Sequence, residues 1–546
     1  MADFTIVGSG ATGVHFALSV LQRGYSVEML DIGWVPDAPV NPGENYTQLK
    51  HSLDDPCAYF LGERFEGVVL PGSGGEFYGI PPSKNYVLKS VPQFRLDSDN
   101  FAPAVSFARG GLAEAWTAGC YPFNDHELED FPFNYADIGP YYNEIAARIG
   151  INGAVDDLSD FIPIHDGLQT PLRMDEHSQL LLARYRSQRK FFRQKLDCRI
   201  GRSRYAVLSS EFRDRERCGY LGRCLWGCPS RSIYTPSVTL EECRSHRKFT
   251  YTNHQYVNYF QYDEEGRINR LMVESVDGKK HRKIDVNTLV LAAGTLSTAR
   301  IFLESVYRGS GRRIRLPGLM DNRQVHMPFL NFSMIGRPIQ SDSYQFNQLA
   351  LGLETQLSKH YIHGLITTLK TSMIHPIVEK LPFDLKTSLH LFRNLHAALG
   401  LVNINFHDTR RDENHITLAD ETESAHPKLR ISYSSPDTEA ETVKHALKRV
   451  RRALLRLGCF APPGMVYVRP TGGGVHYAGT LPMSASSKTP WTTTPDCQSR
   501  DFDNLYIVDG STYPFLPAKN ITFTLMANAV RVADRAIDRK RSQSGS

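Results

Sequence analysis

The feature that most constrains the chain is a glycine turn set between a short apolar stretch and a helical one near the N-terminus. Phe4-Thr5-Ile6-Val7 runs into Gly8-Ser9-Gly10-Ala11-Thr12-Gly13, after which Val14, Ala17, Leu18 and Leu21 recur at helical spacing before Gly24. A second apolar stretch, Val27 to Leu30, then ends at Asp31. Strand, glycine turn, helix, second strand and acid in that order form the dinucleotide-binding pattern. Gly8 permits the tight turn, Gly10 lets backbone amides approach a pyrophosphate at the helix N-terminus, and Gly13 allows the helix to pack close. Ser9 and Thr12 belong to the same turn as candidate cofactor contacts, and Asp31 can accept bonds from a ribose. The pattern serves FAD and NAD alike.

Composition narrows the class. The 546 residues are 41% hydrophobic and 22% charged, which is globular and excludes disordered, collagen-like and coiled-coil chains. Basic and acidic side chains number 63 and 58, a net charge of only +5, too thin a field to suggest a nucleic-acid partner. No apolar run approaches the roughly 18 residues of a membrane span, so no span is expected. The first strand begins at Phe4 with no charged and apolar leader ahead of it, which points to the cytoplasm. Length alone suggests three or four domains. Nine scattered cysteines make no disulfide scaffold, but Cys218, Cys224 and Cys228 crowd together.

The C-terminus separates the two cofactors. Asn504 to Ser511 reads as a strand ending at Asp509 and a small-residue turn with Gly510, and the helix after Asn520-Ile521-Thr522 carries Leu525, Met526, Ala529, Val530, Ala533 and Ile537 on one face. Both chain ends would share one nucleotide site. This region resembles the glucose-methanol-choline (GMC) oxidoreductase family, whose C-terminal signature joins a V-D-x-S strand to N-P-T-x-T-I-M-A. The chain has Val508-Asp509-Gly510-Ser511 and Asn520-Ile521-Thr522-Phe523-Thr524-Leu525-Met526-Ala527, with Ile521 in place of the proline.

The resemblance extends over nearly the whole chain. Arg109-Gly110-Gly111-Leu112 with Trp116 is similar to the glycine segment beside the flavin in the family's bacterial branches, near pyranose oxidase-like and FAD-dependent sugar and gluconate dehydrogenase-like members. Ala115 stands where pyranose oxidase relatives carry a flavin-linking histidine, which implies dissociable FAD. Leu289 to Arg300 resembles the second signature, with Ala293 and Gly294 at its turn, and the strand around Val257 would hold the adenine. His476, Gly479, Thr480 and Met483 match the family pattern H-x-x-G-T-x-x-M. The resemblance implies that His476 is the catalytic base and Asn520 the second polar group. The chemistry needs such a pair, because hydride leaves an alcohol carbon readily only as the hydroxyl proton departs. A histidine suits that transfer, and an amide can steady the alkoxide.

The fold class implied is α/β (α+β overall). A discontinuous Rossmann-like FAD-binding domain (residues 1–150, 200–325 and 465–546) is interrupted by an antiparallel-sheet substrate domain (residues 151–199 and 326–464). Phe329 to Met334, Tyr361 to Ile366, Leu401 to Phe406 and His415 to Leu418 alternate as strands of that sheet, and Leu429 to Tyr433 would close it. Glu439 to Leu457 is an amphipathic helix. Leu381, Leu385, Leu389, Phe392, Leu395 and Leu399, beside Lys380, Lys386 and Arg393, recur at helical spacing, which fits either core packing or contact with a membrane or substrate. Tyr344, Phe346 and Gln348 fall in a loop that could line the pocket.

The spacing of Cys218, Cys224 and Cys228 is that of a bacterial ferredoxin run with one cysteine replaced by Leu221, so three thiolates could hold a three-iron cluster. The alternative is a tight turn against the flavin domain, as in cluster-free relatives; a zinc site would lack its fourth ligand. The function expected is oxidation of a CH–OH group of a sugar, polyol, glycoside or secondary-metabolite alcohol, with hydride passing to FAD. The electron acceptor is left open among oxygen, a quinone and a redox protein. A flavin lyase or decarboxylase of the same fold, or a non-catalytic FAD-binding protein, is the alternative; the joint presence of His476 and Asn520 argues against each.

Overall fold

The computed structural model describes residues 1–37, 43–65, 81–355, 357–370, 378, 381–419, 425–486 and 489–544. At its centre lies a five-stranded parallel sheet in the order Leu505–Ile507, Leu289–Leu291, Phe4–Val7, Val27–Leu30 and Phe249–Thr252. The first four of these strands are short, mostly apolar and almost wholly buried, as expected of a sheet covered on both faces, while the edge strand Phe249–Thr252 is more polar and partly exposed. The Ala11–Gln22 helix packs on the C-terminal helix, Thr522–Ser544, and Val14, Ala17, Leu18 and Leu21 share a core with Met526, Ala529, Val530, Ala533 and Ile537. The first and last elements of the chain therefore lie side by side. The helix Thr295–Ser310 leaves the Leu289–Leu291 strand and packs on an antiparallel meander of Gln255–Tyr262, Ile268–Ser275 and His281–Asp285.

A second, seven-stranded sheet runs Cys459–Phe460, Gln324–Asn331, Leu399–Asn405, Ser358–Thr368, Leu349–Thr355 and Cys198–Arg202, with Tyr467–Val468 added beside Gln324–Asn331. Every pairing in it is antiparallel. Alternation places Val325, Met327, Phe329, Ile362, Ile366, Val402 and Ile404 on one face, against Leu181, Leu182 and Tyr185 of one helix and Val443, Ala446, Val450, Ala453 and Leu454 of another. The second of these helices is Glu439–Arg456, where the sequence pattern puts it.

Four expectations change. The strand expected from Phe329 to Met334 begins earlier, at Gln324, and stops at Asn331, whose side chain accepts a bond from Ser333 N (3.1 Å) and turns Phe332–Met334 into a 3₁₀ helix. Neither His415–Leu418 nor Leu429–Ser432 belongs to the large sheet. The two pair with each other, and Leu429–Ser432 also pairs in parallel with Leu96–Asp99, in a separate four-stranded sheet. The leucine stripe spans two elements, because its helix covers only Leu385–Leu395 and Leu399 opens the next strand. That helix buries Ser388 and Phe392 and leaves Leu385 exposed; Lys380 lies outside the described residues. Tyr344 and Gln348 do not line the cavity at the ends of the parallel strands. Both are buried, the phenol donating to Thr117 O (3.1 Å) and the Gln348 Oε1 accepting from Asp175 N (2.9 Å), and Phe346 packs on the core.

Candidate active site at the ends of the parallel strands

A cavity opens where the parallel strands end, at the switch point beside the first strand. Gly8 has φ +100°, and a Cβ there would stand 2.6 Å from Ala292 O, so this turn excludes any side chain. A Cβ on Gly13 would overlap Gly8 O, which is why the helix can approach the turn only with glycine there. Gly10 differs: the space beside it is open, with its nearest neighbour 4.0 Å away, and it faces the cavity. Gly111 comes up opposite, its Cβ position 3.5 Å from Gly10 Cα.

Three helix N-termini meet this cavity. Gly10-Ala11-Thr12, Gly294-Thr295 and Ile521-Thr522 all line it, and neither Gly10 nor Gly294 supplies a side-chain cap. The first-turn amides of these helices are thus available to an anion, with the positive ends of the helix dipoles behind them. Asp31 stands at the next strand end, accepting bonds from the Ser9 hydroxyl and from Tyr251 OH (3.1 Å). Burial pushes its carboxyl up to about 6, against the pull of those two bonds. Ser9 Oγ in turn accepts from Gly110 N (3.0 Å), stitching the two glycine turns together.

Val257, Ala293, Gly294, Asp509, Gly510 and Thr522 line the same cavity. The Asp509 carboxylate is fully engaged by Gly294 N (3.0 Å), Thr298 Oγ1, Ser511 N (3.0 Å) and Ser511 Oγ (2.6 Å). It acts as a staple between the last strand and the Thr295–Ser310 helix. Trp116 lies away from the cavity lining, its indole donating to Tyr234 O (2.7 Å).

His476 sits on the cavity wall, half-buried. Its Nδ1 is 3.1 Å from Asn322 Oδ1, and the Asn322 amide donates to Phe406 O (2.9 Å) and Pro517 O (2.8 Å). Burial, with Arg469 adding repulsion, pushes the His476 imidazole down to about 4, so it is neutral at pH 7. The chain is tightly held here. Gly472 N donates to Asp321 Oδ2 (2.7 Å), Gln324 Nε2 to Gly474 O (3.2 Å), and Thr295 Oγ1 to Tyr477 O (2.7 Å). Val475, a β-branched residue, is forced to φ +54° immediately before His476, a strained conformation that these contacts maintain. Beyond His476 the chain runs beside the last turn, with Gly479 N on Gly510 O (3.1 Å) and Leu481 N on Ser511 O (2.8 Å).

Asn520 is half-buried beside Gly119, where a Cβ would lie 3.3 Å from its Oδ1. Its neighbour Lys519 is fully buried and donates to Glu127 Oε2, Pro122 O (2.7 Å) and Phe161 O (2.8 Å). Asn322, Asp321 and Lys519 carry no sequence signature and escaped the sequence reading. The only available signal was the adjacency of Lys519 to Asn520.

Of the two readings of the cysteines, the iron–sulfur cluster is not supported: Cys218, Cys224 and Cys228 are free thiols, and among the described residues no group of three or more His, Cys, Asp or Glu side chains is placed to hold a metal ion. The segment between them is committed to packing. Gly222 (φ +68°) lies against Ser341 O, and Arg223 donates to Glu44 O (3.1 Å) and Tyr59 OH (3.0 Å). Burial pushes the Cys218 thiol up to about 11, away from the thiolate that iron or zinc requires. Among the described residues, no helix is long and apolar enough to cross a membrane.

Comparison with known proteins agrees with this geometry. A family model described as GMC oxidoreductase matches residues 410–529, which include both the His476 segment and the Asp509–Thr522 segment. The chain is 24% identical to 2-methyl-1,2-propanediol dehydrogenase of Mycolicibacterium austroafricanum, over 97% of this chain and 94% of that one. It is 22% identical to C-glycoside 3-oxidase of Microbacterium trichothecenolyticum, over 98% and 96% of the two chains. Among solved structures, pyridoxine 4-oxidase from Mesorbium loti shares the fold with a TM-score of 0.61 at 15% identity, covering 98% of this chain and 99% of that one. A formate oxidase does so with a TM-score of 0.61 at 12% identity, covering 99% of each. With the family model lying over the segments that build one wall of the cavity, and two relatives matched over nearly their whole length, the chain is similar to the GMC oxidoreductases in its C-terminal segment and to oxidoreductases along its whole length.

Proposed function

We propose that the protein oxidises a CH–OH group to a carbonyl with FAD as its cofactor and His476 as its base. The observation that carries this reading is a neutral imidazole on the wall of the dinucleotide cavity. The residues present fit FAD. Glycines at 10 and 111 leave a cradle that side chains would fill, three helix N-termini offer unspent amides to the pyrophosphate, and Asp31 suits the ribose. Thr12, Gly110, Val257, Ala293, Gly294, Gly510 and Thr522 complete that set, with Gly8, Ser9, Gly13 and Asp509 shaping it. When bound, the flavin supplies the hydride acceptor.

The chain's own residues do the rest. His476 takes the hydroxyl proton, for which its neutral state is required. Asn520 offers an amide N–H to the developing alkoxide. The relatives named for a diol and for C-glycosides support a polyol or glycoside as the alcohol. We further propose that residues 1–150, 200–325 and 465–546 act as the flavin-binding unit and residues 151–199 and 326–464 as the inserted substrate unit, the seven-stranded sheet crossing the boundaries at Cys198–Arg202, Gln324–Asn331 and Tyr467–Val468. Ala115 supports non-covalent FAD.

Anaerobic mixing tests this reading. The yellow protein should bleach with a diol, sugar or glycoside, and His476→Ala should slow flavin reduction by about 10² or more. A flavin that no such alcohol bleaches would overturn the proposal.

A further inference from the structure

We propose that Asn322 is a positioning residue that fixes the tautomer of His476, holding a proton on Nδ1 so that Nε2 keeps its lone pair for the substrate hydroxyl. The inference rests on the reading of His476 as the base.

The Asn322 amide has a single satisfiable orientation. Asn322 is buried, and its Nδ2 stands 2.9 Å from Phe406 O and 2.8 Å from Pro517 O. Both partners are backbone carbonyls, which only accept, so both N–H bonds of the amide are spent on them. Rotating the amide by half a turn would set its oxygen against two carbonyl oxygens and abandon two hydrogen bonds. Oδ1 must therefore be the atom that faces His476 Nδ1 at 3.1 Å. An amide oxygen has no proton to give, so Nδ1 is the donor.

A neutral imidazole carries a single N–H. Burial and Arg469 keep His476 neutral at physiological pH, so a proton on Nδ1 leaves Nε2 bare. In the reaction the substrate O–H bond breaks and an Nε2–H bond forms, as the carbon bearing that hydroxyl gives up its hydride, for which FAD would be the acceptor when bound. The Nδ1–H bond to Asn322 Oδ1 persists through this step and is strengthened as the ring becomes cationic. The opposite tautomer would present an N–H to the alcohol and could not accept its proton.

The same amide has a second consequence. Pro517 lies three residues before Asn520, so Asn322 ties the loop of the proposed alkoxide partner to the ring of the proposed base. Phe406 ends the Leu399–Asn405 strand of the large sheet, which brings that sheet into the same lock.

The test reads the proton directly. In holoenzyme labelled with ¹⁵N-histidine, at neutral pH and without alcohol, the His476 resonances are assigned by their loss in His476→Asn. A protonated Nδ1 and a bare Nε2 are expected; a proton on Nε2 overturns the proposal. In Asn322→Ala that retains its flavin, the Nδ1 preference should be lost. Its limiting rate of anaerobic flavin reduction should fall at least about tenfold while alcohol affinity stays within about twofold. An unchanged limiting rate also overturns the proposal. Because the proton is located in the resting protein, its position judges Asn322 separately from the alcohol chemistry, which the wild-type flavin reduction judges.

Discussion

At the scale of single residues, the charges buried near the site give predictions of opposite kind. His476 must be neutral to accept a proton, and burial holds its pKa near about 4. Flavin reduction should therefore stay level as pH falls from 8 through 6.5, the range where an ordinary histidine would titrate, and decline only on approaching pH 4. A stopped-flow pH profile with an acid limb near 6.5 would contradict this. Lys519 presents the other case. Its ammonium is wholly enclosed and gives its protons to Glu127 and two carbonyls. Lys519→Met leaves the Glu127 carboxylate buried without its cation, which costs about 3–5 kcal/mol. Adding Glu127→Leu should recover most of that loss, because the unpaired charge, more than the missing bridge, is what destabilises. Urea unfolding of the two variants measures the difference. Neither Lys519 nor Asn322 was legible in the sequence, since each acquires its meaning from partners 84 to 397 positions away. His476 was legible because its signature is contiguous with the strand and turn that hold it.

At the scale of elements, the nucleotide turn was readable for a physical reason: its strand, turn and helix are consecutive, and each glycine answers to a local clash or a local opening. The two kinds of glycine should separate experimentally. Gly13→Ala would drive a Cβ into Gly8 O and should lower both stability and flavin content. Gly10→Ala meets nothing closer than 4.0 Å within the protein, and its φ of −62° suits any residue. That variant should keep the wild-type melting temperature of the apoprotein and lose FAD affinity, as measured by flavin titration. Equal thermal losses in the two variants would refute the distinction. Strand partners were not readable in this way. Leu429–Ser432 alternates as any half-buried strand does, and period alone does not say which edge it joins. The leucine stripe misled for a related reason, because helical spacing continued by chance into a strand beginning at Leu399.

At the scale of the whole molecule, the cavity is closed by pieces drawn from both ends and the middle of the chain: Gly8–Thr12, Gly110–Ala113, Ala292–Ser297, Val475–Tyr477 and Asp509–Gly510 with Ile521–Thr522. The unfolded chain has no such site, so any group bound there stabilises the native state by RT ln(1 + [L]/Kd), about 2.7 kcal/mol when free ligand is at 100 times Kd. Three helix N-termini add to this demand, since each brings the positive end of a helix dipole to the cavity wall. Removing FAD should therefore lower the melting temperature, and returning it should restore the melt in proportion to the logarithm of free FAD. For a chain this long, each kcal/mol corresponds to no more than a few degrees, so a shift of several degrees is expected at saturation. Pyrophosphate alone should recover part of that shift and adenosine less, because it is the pyrophosphate that answers the helix ends. A melt indifferent to FAD would show that these six segments close without the cofactor and that the helix N-termini do not require it.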